Sequence, residues 1–472
     1  MTTLDTLRAR LDKVGQSHIL AGWNRLDAAS QSRLAGQIDA MNVDEWPSLV
    51  EKYVKSKPSL DLPADVKPAP YYPHAGGTYD AAKYKAIGEQ LFKGGKVAAF
   101  VVAGGQGSRL GYEGPKGCYP ATTLTDKPLF QVFAEQLLAA RARFGRDIPW
   151  SIMTSPLNHA ETTAFFEDRR YFGLGRENVT FFPQGVMPSF DLTTGKVLMS
   201  APGEIATNPD GHGGSITALH KSGTLAALRA RGIEHLSYFQ VDNPHVKVCD
   251  PLFVGLHASA PDSSGEMSSK MVAKAAWDER VGVFCLVNGK LDVIEYSDLP
   301  QALGRATNPD GSLKFNAGSI AIHMLGVAFL ERLATDPAFA LPFHRAEKKI
   351  PCVDPATGAP ITPAANNGVK LERFIFDALA RAKASIVLET DRVEEFAPIK
   401  NATGADSVES CKKLQTLRAA RWLACCGVTV PMTPSGEPDC IIEMSPLTAC
   451  FAEDVACVRM PRVIERGARV IL

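Results

Sequence analysis

Between Gly104 and Pro120 the chain reads GGQGSRLGYEGPKGCYP, six glycines with Arg109 and Lys116 among them. Glycine takes positive φ at little cost and lets a ligand approach the backbone, so successive N–H groups can converge on one anion. Two fixed cations beside such a loop suit a polyphosphate. Two commoner phosphate loops are excluded. A P-loop ends in Gly-Lys-Ser/Thr, whereas Lys116 stands between Pro115 and Gly117. The dinucleotide fingerprint needs a third small residue where this chain has Leu110.

A carboxylate follows downstream. In YFQVDNPHVKVCDP an apolar strand delivers Asp242 and Asn243 to its end, where Pro244 stops it. A carboxylate beside phosphates is repelled unless a cation lies between them, and Mg²⁺ accepts one or two carboxylates together with phosphate oxygens and water. Asp242 is therefore the metal-ligand candidate. In FFPQG, Gln184 places an amide at a strand end, where it can both donate to and accept from the edge of a base such as uracil. The Gly-rich turn NPDGHGG, with Gly211 and His212, follows at 208–214. Glu295, and Ser319 within FNAGSIAIHM, are polar residues set into apolar strands, suited either to satisfying buried backbone or to binding hydroxyls. Phe374 and Phe376 lie two apart on an expected helix over 368–382, on different faces. Lys400 reads as a surface lysine unless something draws it inward.

These groups need a frame that holds them. Val97–Ala103 is an apolar, β-branched run, the mark of a strand buried on both faces. Beyond the loop, helical and strand patterns alternate, which argues a parallel sheet with crossover helices. Helices are expected near 79–92, 130–137, 159–166 and 215–229, and strands at 150–153, 179–182, 235–241 and 385–389. VGVFCLV and LDVIEYS form a hairpin turning at Asn288-Gly289. Leu4, Leu7, Leu11, Val14, then Leu34, Ile38 and Met41 recur at helical spacing. The proline-rich 55–73 reads as a surface linker. After Lys400 strands shorten and turns multiply. The expected domains are an N-terminal helical segment and linker over 1–95, a catalytic domain over 96–390 and a small C-terminal domain over 391–472.

At 472 residues the chain exceeds the size at which a single core stops growing. Lys plus Arg equals Asp plus Glu at 51 each, so no net field recruits nucleic acid or an anionic membrane. Ten cysteines without a C-x-x-C pair suggest buried free thiols in a reducing cytoplasm. The N-terminal stretch lacks an apolar signal region, and no window is apolar enough to span a bilayer. A cytoplasmic protein, free of membrane and nucleic-acid partners, is expected.

VVAGGQGSRLG with PKG, FFPQG, DGHGG, VDNPHVKVCDP, FNAGSIA, NGVKLERFIFD and EFAPIKNA occur in an order that resembles the eukaryotic-type UDP-N-acetylhexosamine pyrophosphorylases, within the UTP:sugar-1-phosphate uridylyltransferase family. The resemblance covers nearly the whole chain. It implies an α/β, Rossmann-like nucleotidyltransferase (GT-A-like) mixed sheet with the N-terminal helical segment and a small C-terminal β-rich domain. It further implies UTP and a hexose 1-phosphate as substrates, Mg²⁺ as cofactor, and a monomer or homodimer. By the same matching, Gly104, Gly105, Gly107 and Arg109 hold the UTP phosphates, and Lys116, Gln184 and Gly211 contact phosphate or uridine. Asp242 binds magnesium beside the sugar, Glu295 a sugar hydroxyl and Lys400 the sugar phosphate, while Phe374 and Phe376 flank an N-acetyl pocket. Arg109, Lys116 and Lys400 are the catalytic cations. Three positions depart from the pattern. His212 replaces the usual Asn of DGNGG, as in glucose-specific relatives. Ser319 replaces an Asn that touches sugar, and Ala273 replaces the Glu of a Glu-Lys pair. N-acetylglucosamine 1-phosphate is the favoured acceptor. The alternatives are glucose 1-phosphate, a broad UDP-sugar specificity, or a weakly catalytic nucleotide-sugar sensor.

Overall fold

The computed structural model describes residues 3–56, 65–336 and 339–472. The chain divides into two compact units, each gathered from separate stretches: Met1–Asp61, Gln184–Ser215 and Ala340–Ile375 in one, Leu62–Pro183, Ile216–Phe339 and Phe376–Leu472 in the other.

The larger unit is built on a 10-stranded mixed sheet. Its main path runs Val66–Pro68, Val283–Val287, Ala317–Gly326, His235–Gln240, Val97–Val102, Trp150–Thr154, Val179–Pro183. The last four are mutually parallel, and Ala317–Gly326 joins them antiparallel. All six residues of Val97–Val102 are buried, as a strand covered on both faces requires. Helix Leu129–Phe144 packs Phe130, Phe133 and Leu137 into the same core as Trp150 and Phe239. Lys290–Ile294 returns on Val283–Val287 through Asn288 (φ 51) and Gly289 (φ 78), the paired left-handed residues of a tight hairpin.

Several expectations differ from the structure. The stretch expected as a linker is partly ordered into the sheet: residues 57–64 lie outside the described residues, but Val66–Pro68 pairs with Val283–Val287, and Tyr72 bonds to Val387 and Glu389. Pro68 is tolerated because it sits on an edge strand. The expected single helix over 215–229 is two, Ser215–Lys221 and Thr224–Ala230, broken where Gly223 turns left-handed. Beyond Lys400 the longest element is the 18-residue helix Val408–Cys425, capped by Ser407, alongside the short parallel pair Ile441–Glu443 and Arg469–Ile471. The thiols are not uniformly buried, since Cys425, Cys426 and Cys457 are exposed.

The smaller unit joins N-terminal helices to short sheets. Helices Leu4–Lys13 and Ala28–Ala40 are capped by Thr3 and Asp27 and bury Leu7, Leu11, Leu34 and Ile38 against Trp46, Phe190 and Leu371. Gly368–Arg373, expected as helix, is a strand antiparallel to Phe343–Lys348, and a 3₁₀ turn, Ile375–Arg381, follows it. Val369 and Leu371, two apart and both 0% exposed, show the period-2 alternation of a strand with one face buried.

Candidate functional site

In the larger unit the parallel register sets two loops side by side. Gln240 pairs with Val102, so Asp242 and Gly104 each lie two residues past the same edge of the sheet. Open α/β sheets bind ligands at this carboxyl edge. The glycine loop closes on itself through Gly107 N–H to Gly114 O at 2.9 Å and Lys116 N–H to Gly105 O at 3.1 Å. A Cβ on Gly107 would come within 2.7 Å of the Tyr112 ring, so that position admits no side chain without a shift. A Cβ on Gly105 would meet nothing within 4 Å, which leaves its backbone open to a guest.

Lys116 reaches across to the second loop. Its Nζ donates to Ile399 O at 3.2 Å and lies 4.0 Å from Asp242 Oδ2. Ile399 N–H donates to Asp242 O at 2.8 Å, so the segment ending in Lys400 is laid along the Asp242 turn. Lys400 itself is half-exposed, with Nζ 3.4 Å from Asp406 Oδ2. Arg109 is exposed, and among the described residues no carboxylate pairs with it. The structure thus brings Gly105, Lys116, Asp242 and the backbone before Lys400 together, and leaves Arg109 projecting from the loop.

Glu295 and Ser319 form another group in this unit. Ser319 N–H donates to Gly282 O at 2.8 Å, and a Cβ on Gly282 would lie 3.4 Å from Glu295 Oε1. Lys274 borders them, its Cγ 3.4 Å from the place of a Gly318 Cβ, and burial pulls its ammonium pKa down. Phe376 is 7% exposed and belongs to the core.

In the smaller unit, Gly211, His212 and Phe374 converge, and Gln184 directly precedes the Gly185 that pairs with this turn. The pairing of Val186–Pro188 with Thr207–Pro209 sets Gly185 against Asp210, whose N–H donates to Gly185 O at 3.1 Å. Asp210 O in turn accepts from Arg373 N–H at 2.8 Å. Gly211 has φ +84, and a Cβ there would meet Arg373 O at 2.4 Å, so glycine is required on both counts. His212 stacks on Phe374 with ring centroids 5.0 Å apart, and His344 covers the same phenyl at 4.2 Å. Because Ile375 N–H donates to His212 Nδ1 at 3.1 Å, the neutral ring carries its proton on Nε2. Desolvation, helped by His344, pulls the His212 pKa down to about 4.

Two asparagines hold these loops, Asn243, which the sequence placed beside Asp242, and Asn158, which it did not single out. Asn158, fully buried, donates to Ala103 O at 3.0 Å and Gly105 O at 3.3 Å, and its Oδ1 accepts from Ser155 N–H. Asn243 Nδ2 donates to Glu395 O at 2.8 Å, while its Oδ1 accepts from Ala397 N–H at 3.1 Å. An asparagine just after each strand was the available signal. His344 gave none, being placed by cross-strand packing.

Known proteins resemble the chain over most of its length. The profile of the family described as UTP–glucose-1-phosphate uridylyltransferase matches residues 61–418. The chain is 35% identical over 435 residues to UDP-N-acetylglucosamine pyrophosphorylase of Saccharomyces cerevisiae, covering 89% of this chain and 91% of that protein. It is 33% identical to UDP-N-acetylglucosamine diphosphorylase 2 of Arabidopsis thaliana, covering 98% and 93%. The crystal structure of the uridine diphosphate N-acetylglucosamine pyrophosphorylase from Trypanosoma brucei, solved with an inhibitor, superposes with a TM-score of 0.81 at 26% identity, covering 98% of both chains.

Proposed function

We propose, on the premise that the chain belongs to the UTP–glucose-1-phosphate uridylyltransferase family, that it joins UTP to N-acetylglucosamine 1-phosphate, giving the UDP-sugar and pyrophosphate. The observation that carries this reading is the ammonium of Lys116 standing 4.0 Å from the Asp242 carboxylate, beside a glycine loop with open backbone. Such a place accepts a polyphosphate chain.

The attacking group is a phosphate oxygen of the sugar 1-phosphate, and the bond broken is that between the α-phosphorus and the β-bridging oxygen. A phosphate monoester has its second pKa near ~6 and is mostly dianionic at neutral pH, so no general base is required. The barrier is electrostatic, because two anions meet and charge gathers on equatorial and leaving oxygens. Cations and backbone donors fixed in advance are the matching catalyst. Arg109 steadies the leaving pyrophosphate, Lys116 the α-phosphate, and Lys400 the incoming sugar phosphate. Gly104 and Gly107 shape the loop that lies along the triphosphate. Gln184, Gly211 and His212 read the nucleotide, and Glu295, Ser319 and Phe374 serve the sugar, while Phe376 supports them from the core.

Among the described residues no three His, Cys, Asp or Glu side chains come together as a metal site. A divalent cation would therefore be held by Asp242 with substrate oxygens and water, a donor set that suits Mg²⁺. When bound it supplies charge neutralisation at the transferring phosphorus. Among the described residues no helix is long and apolar enough to cross a membrane. A cytoplasmic monomer or homodimer completes the proposal.

A second reading, glucose 1-phosphate as acceptor, is favoured by one observation: His212, not the asparagine of the N-acetylhexosamine pattern, is the group stacked on Phe374. Pyrophosphate release with UTP, Mg²⁺ and each of N-acetylglucosamine, N-acetylgalactosamine and glucose 1-phosphate at equal concentration separates the readings. Preference for the N-acetylated sugars supports the first. Preference for glucose 1-phosphate replaces it with the second, and silence with all three overturns both.

A further inference from the structure

Strand Met267–Ala273 is buried along all but its last residue, yet it carries Lys270, 1% exposed. The three donors of its ammonium meet three carboxylate oxygens: Glu395 Oε1 at 2.5 Å, Glu395 Oε2 at 2.7 Å and Asp250 Oδ2 at 2.6 Å. Glu395, also 1% exposed, accepts in addition from Thr390 Oγ1 at 2.8 Å and from Lys247 N–H at 3.2 Å. Nothing in the proposed chemistry uses these charges. A buried ion cluster is a weak device for stability, since well-packed apolar residues of similar volume often do as well. It does fix direction, because each Glu395 oxygen takes the Lys270 ammonium and one further donor, which leaves the carboxylate one place.

What it fixes is the segment that runs to Lys400. Glu395 begins a set of ties to the Asp242 turn: Glu395 O accepts from Asn243 Nδ2, Ala397 N–H donates to Asn243 Oδ1, and Ile399 N–H donates to Asp242 O. On the other flank, His245 Nδ1 bonds to Val393 O at 2.9 Å, and the Arg418 guanidinium donates to His245 O and Glu394 O. The chain between Thr390 and Lys400 is thus clamped at its start by charge and along its length by backbone. Lys400 follows directly on Ile399, the residue bonded to both Asp242 and Lys116.

We propose that Lys270 and Glu395 are positioning residues for uridylyl transfer, their buried ion pair setting the place from which Lys400 meets the sugar phosphate. This rests on the reading that Lys400 touches that phosphate. Glu395→Gln keeps the shape and removes the charge. A displacement of an ångström or less at a reacting group can cost up to about a hundredfold, so kcat is expected to fall about tenfold or more. The KM for UTP stays near its parent value, because the hydrogen bonds that Glu395 accepts come from Asn243, Lys247, Lys270 and Thr390 and not from the glycine loop. A loss of stability alone would lower the active fraction and so apparent kcat at unchanged KM, but it would do so equally beside Lys400→Ala, which a double-mutant cycle detects.

The experiment is a double-mutant cycle on the full chain with Lys400→Ala, reading kcat, the KM of each substrate and the thermal transition. The expected result is that Lys400→Ala is slow and that Glu395→Gln costs little more in its presence, since both act through the same contact. If Lys400→Ala keeps full turnover, the functional reading fails and this inference fails with it. If Lys400→Ala is slow while Glu395→Gln is unimpaired, or its cost is undiminished beside Lys400→Ala, this inference alone is overturned. Should Glu395→Gln not fold, Thr390→Val serves instead: it removes one hydrogen bond to Glu395 Oε2 at constant volume. A smaller kcat loss of the same pattern is then expected, and an unchanged kcat overturns the proposal.

Discussion

Replacing Gly105 by alanine separates the fold of the phosphate loop from its use. The added Cβ meets no protein atom within 4 Å, and Gly105 is not in the left-handed region, so alanine is compatible with the loop as it stands. Its carbonyl still accepts from Lys116 N–H and Asn158 Nδ2. At a compatible site Gly→Ala restricts the unfolded chain and stabilises by about 0.4–1 kcal/mol, so the melting temperature should hold or rise. The room the methyl enters is the room assigned to the triphosphate. Displacing a phosphate oxygen from one charge-assisted N–H contact costs about 1.5–3 kcal/mol. At 1.4 kcal/mol per factor of ten, kcat/KM for UTP should fall roughly 10- to 150-fold. Initial rates over a UTP series at saturating sugar phosphate, with a melting curve on the same sample, give both numbers. A stable variant with unchanged kcat/KM would refute the placing of UTP on this loop.

Arg109→Ala, in a folded variant, should lower kcat by roughly 10²–10³ if its contact forms mainly in the transition state; steady-state rates check this. Glu443 is buried, which opposes its charge, but hydrogen bonds from Thr125 and from Leu124 N–H outweigh that cost and hold its carboxyl below the usual range. A lowered carboxylate pKa contributes stability above the unfolded value of about 4.3 that is lost as pH falls through the folded one. Glu443→Gln should therefore destabilise by about 1.5–3 kcal/mol at pH 7 and by less toward pH 3, as read by denaturant titration at each pH. His212, held down to about 4, runs in the same direction: its share of stability is complete above the unfolded value of about 6.5 and is lost as pH falls toward 4. His212→Asn should lessen the drop in stability between pH 7 and pH 4, and a pH dependence identical to the parent's would contradict the neutral ring stacked on Phe374.

The glycine loop and Asp242 were legible because each follows an apolar run whose burial the residue types dictate. The hairpin at Asn288-Gly289 was legible because its turn demands left-handed residues. Lys270 was not. A lysine in MSSKMVA gives no hint that Asp250 and Glu395, 20 and 125 residues away, surround its ammonium. The strand Gly368–Arg373 was concealed for a related reason: its partner Phe343–Lys348 and the imidazoles that cover Phe374 come from elsewhere in the chain. A linear reading also cannot join stretches as distant as 1–61, 184–215 and 340–375 into one unit, since only long-range packing does so.

Transfer of a uridylyl group from UTP to a sugar phosphate is tested most directly by ³¹P NMR of one reaction mixture. The purified chain with UTP, Mg²⁺ and N-acetylglucosamine 1-phosphate should lose the γ- and β-phosphorus signals of UTP in step with the rise of free pyrophosphate and of the two coupled diphosphate signals of a UDP-sugar, in equal amounts. Inorganic phosphate and UDP in place of those products, or an unchanged spectrum with all three sugar phosphates, would contradict it.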